Sequence, residues 1–320
     1  MPRFATSLLV AAVLSVWLPC AADLAHAQAP RSVTDADGRK VEIKDASRIV
    51  TIGAAVTEIV FALGHGDRVI GVDQTSTFPP GVRTKPNVGY MRALSAEGVI
   101  SLAPSLIIAT EGSGPPDVVD ILARASIPFV LVPEGYDEAA VLGKVRFIAK
   151  VLGEDAKGEA MAQAIAADFA AMRAQRQKIA TPRKGVFVLA VGGGTPTVGG
   201  NKTGADGILA LSGIENAMRG VSGYKPAVAE ATLAAAPDVV VTMIEQNHGL
   251  GPDEMFALPA FAGTPAAKEK RLVSISSYAL TFGPRAAHAA HNLAAAVYPE
   301  LSLPPLQPRS WTGEGTAKKP

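Results

Sequence analysis

Two trains of short apolar runs alternating with helical patterns, separated by a strand-free stretch from about Asp137 to Ile179, constrain this chain more than any other feature. In the first train SRIVTIG is β-rich, and AAVTEIVFALG carries apolar residues at helical spacing up to Gly64. VIGVD, SAEGVISLAP leading into SLIIAT, the helical DVVDILARAS and the strand IPFVLVP follow. The second train runs KGVFVLAVGG, TGADGILALSG, EATLAAAPDVVVTMI, RLVSIS and PRAAHAAHNLAAAVYP. Strands that alternate with helices pair in parallel through right-handed crossovers and are covered on both faces. A polar strand pair, VTDADGRKVEIKD with its turn at Asp37-Gly38, precedes the first train. Between the trains the chain reads as helical with a break at Gly153. Its second part, EDAKGEAMAQAIAADFAAMRAQRQKI, is one long amphipathic run that Thr181-Pro182 stops.

The expected fold is therefore α/β: two Rossmann-like lobes with mainly parallel sheets, joined by one long inter-lobe helix, with a ligand cleft between the lobes. The expected boundaries are a leader over 1–27, an N-terminal lobe over 28–136, a helical segment over 137–181, a C-terminal lobe over 182–304 and a disordered tail over 305–320. The leader reads as a signal peptide: Arg3 is a small basic n-region, FATSLLVAAVLSVWLP is apolar, and Ala25-His26-Ala27 fits a cleavage site near Ala27. The apolar run is too short to span a bilayer, so no membrane-embedded part is expected. Trp17 and Pro19 suit a lipidation box ahead of Cys20 poorly. Cys20 is the only cysteine, so the exported remainder needs no disulfide and offers no thiolate to a metal. With 30 Lys+Arg against 29 Asp+Glu the net charge is +1, which gives nucleic-acid binding no support. Nothing demands more than a monomer.

SAEGVISLAPSLIIAT in the first half echoes VAEATLAAAPDVVVTM in the second: a Glu near a helix start, small residues, Ala-Pro, then a buried strand. This is either a common α/β packing solution or the mark of two similar lobes. Beyond the echo, RIVTIGAAVTEIVFALGHGDRVIGVD and NVGYMRALSAEGVISLAPSLIIA resemble the helical-backbone substrate-binding proteins of iron-chelate, cobalamin and haem ABC importers. VGYMRALSAEGVISLAPSLII is most similar to the haem-binding branch, and VGGNKTGADGILALSG, GYKPAVAEATLAAAPDVV and LTFGPRA match it in style and order. The resemblance covers roughly Ser32 to Pro299. It implies a non-catalytic periplasmic protein that binds haem as transported ligand in the cleft and delivers it to an inner-membrane ABC permease. A ferric siderophore or cobalamin carrier of the same fold is the alternative.

Ferric iron is a hard acid, and a tyrosine oxygen is a recognised axial ligand of haem. The resemblance implies Tyr90 as that ligand and Arg92 as its supporting cation; in an extended loop, residues two apart point the same way. The loop GGGTPTVGGNKTGAD contains no His, so a second axial imidazole there is not expected. His248, in EQNHGLGP, is the remaining cleft-side candidate for a second ligand, or a solvated side chain. GGNKT fails as a Walker motif because Asn201 separates Gly200 from Lys202. Asn201, Lys202 and Thr203 at a helix start suit an anion such as a haem propionate. Tyr224 and Lys225 are candidates for the same role or for the haem face. His288 and His291 have metal-binding spacing but no third ligand, and His65 is expected to cap a turn. The resemblance implies one exposed acidic residue per lobe for docking the permease, assigned to Glu58 and Glu230; the plainer reading is a first-turn Glu favoured by the helix dipole. A zinc or manganese carrier would need several cleft His and carboxylates. A hydrolase would need a nucleophile beside its base, and Ser113 sits in E-G-S-G-P rather than G-x-S-x-G.

Overall fold

The computed structural model describes residues 30–244 and 250–313. The expected leader, His248 and the last part of the expected tail lie outside the described residues.

A two-stranded antiparallel ribbon opens the chain, β1 (Arg31–Thr34) with β2 (Lys40–Ile43). Then come β3 (Ile49–Ile52), α1 (Ala54–Ala62), β4 (Val69–Val72), α2 (Ala96–Ile100), β5 (Leu106–Thr110), α3 (Pro116–Arg124) and β6 (Phe129–Val132). The four strands β3 to β6 form one parallel sheet in the order β4-β3-β5-β6. Every residue of β3, β5 and β6 is buried. Their sequences IVTI, LIIAT and FVLV are continuous apolar runs, not alternating ones, because helices cover both faces of the sheet.

Two helices follow, α4 (Glu138–Leu152) and α5 (Asp155–Arg176). The Asp137 side chain caps α4 by accepting from Ala140 N–H at 2.8 Å, and Gly153 ends it in the left-handed region at φ 74°. A residue with a Cβ would be strained there, which is why the sequence breaks at a glycine. The 22 residues of α5 extend about 33 Å at 1.5 Å per residue.

The second lobe holds β7 (Lys184–Gly192), β8 (Thr195–Gly199), α6 (Gly204–Leu211), β9 (Glu215–Asn216), β10 (Tyr224–Pro226), α7 (Ala229–Ala235), β11 (Val239–Met243), α8 (Pro252–Ala257), α9 (Pro265–Lys268), β12 (Leu272–Ile275) and α10 (Ala286–Val297). Its sheet runs β10-β8-β7-β11-β12, with β9 beside the start of β7. β7, β11 and β12 pair in parallel, whereas β8 and β10 are antiparallel. The loop expected over GGGTPTVGG is thus a hairpin turning at Gly193 and Gly194, both at positive φ. Two successive glycines supply the conformation such a tight turn needs.

One apolar cluster passes through the whole molecule. It joins Val56, Ile59 and Val60 of α1, Ile148 and Phe169 of the helix pair, and Phe187, Ile208 and Leu293 of the second lobe. Each sheet has its own outer layer, with Val50, Ile107 and Leu122 in the first lobe and Val186, Val240 and Phe261 in the second.

Disorder expected from residue 305 is corrected for residues 305–313. Leu306 is buried, Gln175 Nε2 donates to Pro304 O, and Arg309 grips Asp168 of α5 at 2.6 Å. Pro-rich composition suggested a tail, yet one buried Leu and one part-buried ion pair hold this segment against α5. Among the described residues, no helix is long and apolar enough to cross a membrane.

Candidate functional site: the inter-lobe cleft

The carboxyl ends of both sheets open onto one cavity of about 790 Å³. Open α/β sheets bind ligands at such ends, where the strand order reverses. In the first lobe Gly53 follows β3, Thr110 ends β5, and Glu134 and Tyr136 follow β6; all line the cavity. The second lobe contributes Leu189 and Ala190 of β7, Met243 of β11, and Ser277, Leu280 and Thr281 after β12. The volume suits a cofactor-sized ligand; the exposed area of the wall is mainly apolar, and polar side chains reach it from both lobes, among them Gln74, Arg92, Glu111 and Glu134 of the first and Ser277 and Thr281 of the second.

Tyr90 and Arg92 both line this cavity. They lie in a turn, not an extended loop: Ala93 N–H donates to Tyr90 O at 2.8 Å. Gly89 N–H donates to Asn87 Oδ1 and Gly89 O accepts from Gln74 N–H, so the turn is tied to the segment after β4. At φ 98° Gly89 holds a conformation that other residues avoid, and this swings Tyr90 outward. Tyr90 is 43% exposed. No side-chain hydrogen bond links Tyr90 to Arg92 among the described residues. Burial raises the Tyr136 and Tyr224 hydroxyls above the ordinary phenol value, and the Arg92 charge offsets only a small part of this.

Three features of the wall were not singled out in the sequence. Lys144, on α4, is fully buried and donates to Glu134 Oε1 at 2.8 Å, while Thr110 Oγ1 donates to Glu134 Oε2 at 2.6 Å. One glutamate thus carries a buried cation and a strand end. Asp73, fully buried after β4, accepts from Gly53 N–H, Thr75 N–H, Thr75 Oγ1 and Ser76 Oγ at 2.6–2.9 Å. It fixes the start of α1 and the lining loop 74–77 together. Tyr136 packs edge-on to Phe282 of the second lobe, ring centroids 5.3 Å apart. The only sequence signal for these was a polar residue at the end of an apolar strand, as in VIGVD or FVLVPE.

The other candidates lie elsewhere. Asn201, Lys202, Thr203, Tyr224 and Lys225 do not line the cavity. Thr203 caps α6 by accepting from Asp206 N–H at 3.1 Å, and Asn201 Nδ2 donates to Arg219 O. The Tyr224 hydroxyl accepts from Ala205 N–H, whereas Lys202 and Lys225 are exposed. The assignment of Glu58 as an exposed docking residue is corrected. It is 4% exposed and receives Arg285 Nε and Nη2 at 2.9 and 2.6 Å. Its helix, α1, turns this face into the protein, so no partner protein can reach it. Glu230, in the first turn of α7, is exposed. The residue in the matching position of the internal echo is Glu97, exposed in the first turn of α2.

The three described histidines are each held by a hydrogen bond within the protein. His65 does not cap its turn with its side chain; its Nε2 meets Glu154 Oε1 at 3.0 Å. His288 Nε2 meets Gln307 O and His291 Nδ1 meets Gln175 Oε1, at 3.1 and 2.9 Å. Among the described residues no group of three or more His, Cys, Asp or Glu is placed to hold a metal ion.

Comparison with known proteins agrees with this architecture. A family model described as periplasmic binding protein matches residues 49–279. The periplasmic heme-binding protein RhuT from Roseiflexus sp. RS-1, in apo form, is 34% identical with a TM-score of 0.76, covering 80% of this chain and all of that one. BhuT, a periplasmic heme-binding protein solved with two hemes, is 36% identical with a TM-score of 0.75, covering 79% of this chain and 98% of that one. An uncharacterized ABC transporter substrate-binding lipoprotein of Bacillus subtilis (strain 168), YvrC, is 26% identical over 85% of this chain and 86% of its own length.

Proposed function

The chain belongs to the periplasmic binding protein family, and from that membership we propose that it captures haem in the inter-lobe cleft and hands it to an ABC importer in the inner membrane. The observation that carries this reading is the joint placement of Tyr90 and Arg92 on a largely apolar cavity of about 790 Å³. An apolar wall suits a porphyrin face, and a phenol oxygen suits ferric iron. Free phenol loses its proton near pH ~10; on coordination ferric iron takes the proton's place on the oxygen. Arg92 is exposed at the same rim, so a propionate is its natural partner. The role is binding and delivery without catalysis, in the periplasm after removal of the leader near Ala27, and as a monomer.

Docking to the permease is assigned to Glu97 and Glu230. Each is exposed in the first turn of a short helix, and the two helices occupy corresponding places in the two lobes. Such charges chiefly orient an encounter and raise its rate.

Parallel absorption titrations with hemin, cyanocobalamin and a ferric siderophore test the ligand class. Saturable binding of hemin, with no saturation by the other two over the same range, is expected. Saturation by cobalamin or siderophore but not by hemin would overturn the reading.

A further inference from the structure

Arg285 precedes α10 in the second lobe and faces the first. Besides its two hydrogen bonds to Glu58, its guanidinium carbon lies 4.0 Å from the ring centroids of both Phe78 and Tyr278. The planar fork meets the carboxylate side-on through Nε and Nη2 and lies over both rings, a geometry a lysine cannot reproduce. Each of the three partners belongs to a different segment of the cleft wall. Glu58 lies on α1, whose first residues Ala54 and Ala55 line the cavity. Phe78 directly follows lining residue Thr77, and Tyr278 lies between lining residues Ser277 and Leu280. Two of these segments come from one lobe and one from the other.

The same seam is closed by contact of backbones. A Cβ on Gly283 would lie 3.3 Å from Ala55 Cα, and one on Gly207 of α6 would lie 2.3 Å from Tyr136 O. Neither glycine leaves room for the lobes to approach further, so the ion pair works against a hard stop.

We infer that Arg285 is a positioning residue for the cleft: by holding Glu58, Phe78 and Tyr278 at once, it locks the two lobes at one separation. The lock concerns the protein alone; only its second readout, hemin release, rests on the functional reading above. Its removal frees the second-lobe segment at Tyr278 from the two first-lobe segments, which Asp73 still ties together, while leaving Tyr90 and Arg92 untouched.

The test places spin labels at Asp120→Cys and Lys268→Cys, both exposed and on opposite lobes, in a Cys20→Ser background. Electron–electron distance distributions are recorded without hemin for the parent, Arg285→Met and Arg285→Lys. Hemin transfer to apomyoglobin is timed for the unlabelled proteins. A single narrow distance is expected for the parent. Arg285→Met is expected to give a broadened or lengthened distribution and at least about tenfold faster hemin release. Arg285→Lys keeps the charge but not the fork, and should fall between them; it carries the test should Arg285→Met fail to fold. Distributions indistinguishable from the parent in both variants would overturn the lock. If the parent does not bind hemin while Arg285→Met still changes the distance, the functional reading fails and the lock stands; hemin binding with unchanged distances gives the reverse.

Discussion

Glu134 concentrates the cleft's electrostatics in one side chain. Its two oxygens take the Lys144 ammonium and the Thr110 hydroxyl, while its backbone N–H donates to Glu111. The Lys144 side chain has no solvent access at all, so deleting the carboxylate strands a buried cation. Breaking a buried pair from one side typically costs about 3–5 kcal/mol, and the part-exposed Glu134 puts this pair at the lower end. Glu134→Ala is therefore expected to lower unfolding free energy by about 3 kcal/mol in urea melts. The double variant Glu134→Ala/Lys144→Met should recover most of the loss, since the stranded charge goes with it. Equal losses in both variants would show that charge burial is not the cause. The place of Tyr90 and Arg92 on the cleft wall was legible in the sequence because a local motif carries both. Glu134, Lys144 and Asp73 were not, because their partners come from strands and helices brought together only by the fold. Glu58 misled for a similar reason: a helix-borne glutamate says nothing about its facing side until the second lobe supplies Arg285, 227 residues on.

At the scale of elements, the burial of β3, β5 and β6 made the parallel sheet legible as unbroken apolar runs. β8 and β10 escaped because a Gly-, Thr- and Pro-rich stretch signals turns, and only pairing with β7 extends it into strand. The joint between α4 and α5 also holds a titrating contact. Burial, with Arg68 beside it, lowers the His65 imidazole below its ordinary value, and Glu154 only partly offsets this. The folded protein then binds the His65 proton less tightly than the unfolded chain. Its contribution is present above about pH 6.5 and is lost as pH falls from there toward the lowered value. The melting temperature should drop as pH falls below about 6.5, and His65→Gln, which can still hydrogen-bond Glu154, should flatten that part of the profile. An unchanged slope in the variant would remove His65 from the account.

Across the whole molecule, one apolar cluster runs from α1 through the helix pair into the second lobe. Lobes that share a core move as small adjustments about α5 rather than by wide closure. On the proposed docking role, recognition by a transporter would depend on a surface that changes little with load, and Glu97 and Glu230, exposed in the first turns of α2 and α7, would belong to it. Reversing both charges, Glu97→Arg with Glu230→Arg, is expected to abolish hemin uptake through the reconstituted importer while hemin affinity stays within about twofold. Uptake at the parental rate would remove these two residues from docking.

The central claim is that the cleft holds ferric haem through the Tyr90 oxygen. It is tested most directly by absorption titration of the protein with hemin beside Tyr90→Ala. The account predicts saturable binding with a high-spin ferric spectrum and a phenolate charge-transfer band. In Tyr90→Ala the band should vanish and the affinity fall by at least about tenfold, or 1.4 kcal/mol. A variant that binds hemin as tightly, with the same spectrum, would contradict it.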